Sequence, residues 1–165
     1  MKKAMMVATL MLTALIALSL QSVLAVEYRE KTQYLGVVNG QVVNGGMVKV
    51  SRTPSDPILY RSSKKPLPEQ LLVRNADVRP ASGGLAYITV KQSLSDGLEA
   101  RITLKTALMV DGQKASLSAR QQGEDVVIMV PESQQLVELR TDAPAEVEIP
   151  ANYRGNVQLS LQVED

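Results

Sequence analysis

The stretch "NVQLSLQVED" alternates strictly, with Val157, Leu159, Leu161 and Val163 on one side and Gln158, Ser160, Gln162 and Glu164 on the other. A period of two is the pattern of a half-buried β-strand. It recurs in "LEARITLK", where Leu98, Ala100, Ile102 and Leu104 alternate with Glu99, Arg101, Thr103 and Lys105. Asp96-Gly97 predicts a tight hairpin turn back to "LAYITVKQ", and Asp111-Gly112-Gln113 predicts another between "TALMV" and "KASLSAR". "DVVIMV" is a short, nearly continuous apolar run, as expected of a central strand. "QLVELR" and "AEVEI" follow, separated by a turn at Thr141–Pro144. "PEQLLV" could open with a helical turn, too short to change the class. Strands spaced roughly 8–12 residues apart, with Gly, Pro and Asp between them, predict an all-β protein built as a β-sandwich.

The chain before this region has a different pattern. Lys2 and Lys3 precede an uncharged run from Ala4 to Leu20, and Val23-Leu24-Ala25 has the short residues that a signal peptidase reads. A cleaved leader over residues 1–25 is expected, with an uncleaved membrane anchor as the other reading of the apolar run. Residues 26–55 read as an extended arm, with Asn39-Gly40, Asn44-Gly45-Gly46, Pro54 and Pro57 along and just beyond it. The sandwich domain is expected over residues 56–165.

Composition narrows the chemistry. The 165-residue chain has no Cys, His, Phe or Trp, and five Tyr. Neither a Ser-His or Cys-His pair nor a Cys/His zinc site can be built. No cofactor or metal site is expected. An exported domain without disulfides must be held by its core or by something it binds. Of the 18 basic residues two fall in the leader, leaving 16 against 17 acidic and a net charge of −1, which gives no electrostatic case for nucleic acid.

Ser62-Ser63-Lys64-Lys65 has the Ser-x-x-Lys spacing of acyl-serine enzymes, without its partner motifs and in a polar stretch. Glu146 and Glu148 share one side of a predicted strand and read as a solvated face. An enzyme is not expected. Charge is unevenly distributed: Lys49 to Arg79 holds seven basic and three acidic residues, Gln121 to Asp165 two basic and nine acidic. Opposite signs on two surfaces could register copies stacked end to end.

The last strand raises the functional question. In an immunoglobulin-like sandwich the next-to-last strand is central, and a Tyr often pins the turn before it. Tyr153 stands at that position before "NVQLSLQV", as though the chain ends one strand early. Leaving Val157, Leu159, Leu161 and Val163 uncovered would forgo roughly 1.5–3 kcal/mol each. Together these approach the roughly 5–15 kcal/mol net stability of a whole domain. A long apolar edge also invites aggregation. A partner strand would satisfy backbone and side chains together.

"VKVSRTPSDPILYRSSKKPLPEQLLV" and the closing "NYRGNVQLSLQVED" resemble the beginning and end of pilins from class 5 (alpha-clade) chaperone–usher fimbriae, the group containing the colonization factor antigens. The resemblance implies an immunoglobulin-like β-sandwich that is incomplete and that a neighbouring subunit's strand completes. It implies a periplasmic chaperone and an outer-membrane usher as partners, with copies of the chain or other pilins in a fibre at the cell surface that supports adhesion to a host receptor. Val48 and Val50 match the donor strand, and Val157, Leu159, Leu161 and Val163 the acceptor groove. Val26 to Met47 precede the expected donor, which leaves Tyr34–Val43 as a displaced donor or marks a minor subunit with an extension. The competing reading is a stand-alone exported sandwich that binds an anionic glycan or protein, with Arg52, Arg61 and Lys65 as candidate contacts.

Overall fold

The computed structural model describes residues 30–40, 48–52 and 58–165, apart from Asp96 and Arg154. The expected leader, the Asn44–Gly46 turn and the Asp56–Pro57 step lie outside the described residues. Thirteen strands are described: β1 (Glu30–Gly40), β2 (Val48–Arg52), β3 (Ile58–Ser62), β4 (Gln70–Val73), β5 (Ala76–Ala81), β6 (Leu85–Ser93), β7 (Glu99–Val110), β8 (Gln113–Ala115), β9 (Ser118–Gln122), β10 (Asp125–Met129), β11 (Val137–Thr141), β12 (Ala145–Ile149) and β13 (Gly155–Glu164). One sheet runs β1-β13-β4-β10-β9. The other runs β2-β12-β7-β11-β3, with β6 and β8 also paired to β7, and β5 to β6. Every ladder is antiparallel.

The core is mainly aliphatic, with Tyr60 and Tyr153 as its aromatic members. Leu71, Val126 and Ile128 of one sheet and Ile88, Ile102, Leu104, Leu108 and Leu139 of the other are buried in one cluster. The alternation in β7 follows the sequence: Ala100, Ile102 and Leu104 are buried, Arg101 is exposed, and Thr103 and Lys105 are half-buried. β7 is long enough to serve two neighbours on one side, β12 along Arg101–Thr103 and β11 along Thr106–Val110. It is therefore the spine of its sheet.

Both predicted hairpins form. β6 and β7 pair from Ser93–Glu99 onward, and Leu94 N donates to the Leu98 carbonyl at 2.7 Å. Asp111 (φ 50°) and Gly112 (φ 80°) form a two-residue turn with both φ values positive, the type that matches strand twist. "DVVIMV" supplies β10, which is central between β4 and β9.

Three details differ from the pattern reading. "KASLSAR" is two strands, since the chain leaves one sheet after β8 and joins the other at β9. Gly84 lets it cross: a Cβ there would stand 3.3 Å from Ser116 Cα, and Leu117 N donates to the Gly84 carbonyl. "PEQLLV" is extended as β4. β5, "ADVRPA", gave no strand signal because of its Asp, Arg and Pro, yet it forms an edge where Pro80 needs no ladder hydrogen on its outer side.

Asp111 does more than turn the chain. Its carboxylate accepts from the backbone N–H groups of Gln134, Gln135 and Leu136 at 2.9, 2.6 and 2.9 Å. These bonds hold its pKa below the ordinary 3.8. A carboxylate whose pKa folding lowers adds stability above that ordinary value and loses it as pH falls further. Asp111→Asn is therefore expected to lower the Tm near neutral pH, with the gap from the parent closing on acidification below about pH 4. Parallel thermal melts against pH check this.

Candidate assembly site at the C-terminal strand

β13 has two faces of opposite character. Val157, Leu159, Leu161 and Val163 are each no more than 2% exposed and belong to the main core cluster. Gln158 is exposed, and Ser160 and Gln162 are half-buried. The alternation read from sequence is thus the alternation in space through Val163, while Glu164, read as part of the polar side, is buried. The strand is held to its own sheet through β4 over two positions, Val163 with Val73 and Glu164 with Leu72. Along the rest of its length its ladder partner is β1.

The far end of β13 is fixed by charge. Arg74, just past β4, donates through Nε and Nη2 to the two carboxylate oxygens of Glu164 at 2.7 and 2.9 Å. Its Nη1 reaches Asp125 Oδ2 at 2.8 Å, and Asp125 Oδ1 accepts from Asn75 N at 2.9 Å. Arg74 N also donates to the Gln162 carbonyl at 3.1 Å. Bidentate geometry of this kind gives direction as well as energy. The Glu164 bonds, then those to Asp125, raise the Arg74 pKa beyond its usual range, so the cation persists at any working pH.

A second link joins the sheets. The Tyr60 hydroxyl of β3 donates to Asp165 Oδ2 beyond the end of β13. Burial, followed by this carboxylate, pushes the Tyr60 hydroxyl upward, while Ser62 acts in the opposite direction. Ser62 of the Ser-x-x-Lys pattern is therefore buried beside Tyr60, whereas Lys64 and Lys65 are exposed.

At the near end, Tyr153 is 6% exposed and Tyr153 N donates to the Pro150 carbonyl at 3.0 Å. Its hydroxyl lies 3.3 Å from where a Cβ on Gly155 would stand, and Gly155 has φ 135°. The ring and the glycine together set the angle at which the chain turns into β13. Gly155→Ala is expected to destabilise by about 1–3 kcal/mol through backbone strain, read as a lower denaturant midpoint.

The arm contributes a strand to each sheet. β1 runs antiparallel to β13 from Glu30↔Glu164 to Gly40↔Gly155, with an irregularity between Tyr34 and Gly36. Val48 and Val50, the expected donor positions, are in β2, opposite Ile149 and Val147 of β12. The structure therefore does not bring Val48 and Val50 to Val157–Val163; the segment beside β13 overlaps the alternative Tyr34–Val43 stretch. β2 has an in-register match for β12, with Lys49 opposite Glu148, and Glu148 opposite Arg101 of β7 on its other side. Glu148 is thus in register with a basic residue on either side, whereas Glu146 stands opposite Ser51 and Thr103.

Part of the uneven charge is compensated within the subunit. Arg61 lies 3.6 Å from Glu138, and Arg74 reaches Asp125 and Glu164, so residues of the basic stretch pair with residues of the acidic one. Arg74 and Asp111 carry more of the local order than sequence reading gave them. An arginine after an apolar strand and an aspartate in a turn do not announce their distant partners.

Residues 8–165 match the family described as "Family of unknown function (DUF5462)". The chain belongs to this family. It is 69% identical to the K88 minor fimbrial subunit FaeF of Escherichia coli over 166 aligned positions, which cover 100% of both chains. No solved structure matches it at a significant level. The resemblance read from the two end stretches therefore holds at the level of a fimbrial subunit, while the class 5 subgroup rests on those stretches alone.

Proposed function

We propose that this chain is a minor structural subunit of a surface fimbrium, exported through the periplasm and assembled by the chaperone–usher route. The observation that carries the reading is β13, a strand with four fully buried aliphatic residues whose outer ladder, among the described residues, is filled by the N-terminal arm. In the fibre, β13 accepts an extended strand of a neighbouring subunit, and the arm of this chain is offered onward. A periplasmic chaperone escorts the subunit to the outer-membrane usher before assembly. Adhesion is a property of the fibre, and nothing on this subunit is needed for catalysis. The 69% identity to a K88 minor fimbrial subunit supports a minor rather than a shaft role.

Fractionation tests the role. Surface fimbriae sheared from cells that express the complete fimbrial system are expected to contain this chain in substoichiometric amount. Its retention in the cell body, with none in the sheared fraction, would sink the proposal.

A further inference from the structure

The two arm strands fit their edges unequally. Cross-strand partners in register stand on the same face of a sheet. Opposite the buried residues Val163, Leu161, Leu159 and Val157, β1 places Lys31, Gln33, Gly36 and Val38. Three of the four positions in register with these buried residues thus hold a cationic, an amide-bearing and a side-chain-free residue. Glu30 is in register with Glu164, two acidic residues opposite one another, and the ladder breaks register at Leu35. On β12 the only such mismatch among the described pairs is Arg52 opposite buried Ala145, at the end of the ladder. There Val48 and Val50 oppose buried Ile149 and Val147, and Lys49 opposes Glu148.

We propose that Glu30–Gly40 is a self-complementing placeholder on β13, displaced by an extended segment of another fimbrial subunit that is apolar at four alternate positions, while Val48–Arg52 stays on β12. The inference rests on the strand-exchange reading above and says which part of the arm moves. It has two consequences. Because displacement of β1 frees the arm, filling the acceptor edge releases the donor. And because the arm of a second copy carries the same polar positions, the chain alone stays monomeric and joins only subunits with a better strand, as suits a minor component.

The chain has no cysteine, so engineered pairs form a single defined bond. Adjacent antiparallel residues lie within disulfide reach. Val37→Cys with Gln158→Cys locks β1 to β13, and Ser51→Cys with Glu146→Cys locks β2 to β12. The probe is a synthetic peptide of residues 30–40 carrying Lys31→Val, Gln33→Leu and Gly36→Val, compared with the unaltered peptide.

The altered peptide is expected to bind the full exported chain one to one, on the order of a hundredfold more tightly than the unaltered one. The β1–β13 lock is expected to block binding until it is reduced, and the β2–β12 lock to leave it unchanged. Equal binding of both peptides, binding to the β1-locked chain, or blockage by the β2–β12 lock would each overturn the proposal. So would failure of the altered peptide to bind the unlocked chain. The fractionation result is independent: a chain found in fimbriae that never takes the peptide removes the placeholder alone, and a chain that takes it but is absent from fimbriae removes the assembly role.

Discussion

Leu161→Asp is expected to leave no folded, assembly-competent subunit. Leu161 is 1% exposed at the middle of β13 and packs in the main core cluster. The change forfeits roughly 1.5–3 kcal/mol of burial. It also places a carboxylate in apolar surroundings without a partner, which costs several kcal/mol more, about 3–5 for comparable unpaired charges. The sum falls within the roughly 5–15 kcal/mol that keeps a domain folded. Two controls separate this from a general intolerance of the strand. Leu161→Met keeps volume and apolarity and should cost under about 1.5 kcal/mol. Gln158→Asp, on the exposed face of the same strand, should fall within about 0.5 kcal/mol of the parent. Periplasmic yield and thermal melts of the three variants check the prediction. Normal yield of Leu161→Asp would mean that β13 is not part of the core.

Arg74→Met is expected to produce the next largest loss. It removes the cation from two carboxylates at once, and the Glu164 side chain is only 9% exposed. Breaking a fully enclosed pair by deleting one partner costs about 3–5 kcal/mol. Arg74 is 40% exposed, so water screens part of that, and about 2–3 kcal/mol is the fitting figure. For a domain of this size the Tm should fall by roughly 10 °C. Adding Glu164→Gln to Arg74→Met should recover part of the loss, because the uncompensated charge is then gone, and a double-mutant cycle reads the coupling directly. An unchanged Tm in Arg74→Met would show that the network is ornamental and that β4 alone holds the end of β13.

Much of the sandwich could be read from sequence because aliphatic alternation and Asp-Gly turns are local signals. β7, β10 and β13 are where their patterns placed them, and Asp111-Gly112 turns as its residue types require. β5 and the break in "KASLSAR" were not legible. The first owes its pairing to β6 rather than to its own propensity, and the second depends on Gly84 and Ser116, which are far apart in sequence and in contact only in the fold. The buried residues of β13, Val157, Leu159, Leu161 and Val163, were visible for the same reason as the fold: period-two burial. Which segment pairs with them was not, because strand partners are set by register across more than 110 residues of chain. Val48-Lys49-Val50 has the better apolar pattern for a donor, yet β12 takes it through apolar partners and a Lys–Glu match, leaving the more polar Glu30–Gly40 for β13.

The most direct test of strand exchange is a denaturing gel of isolated fimbriae, loaded with and without heating and probed for this chain. Bands well above the monomer that collapse to a single subunit on heating are expected, since an inserted strand shares the core of its acceptor and resists detergent. A chain that already runs as a monomer without heating would contradict insertion at β13 and leave the subunit as a self-completed sandwich.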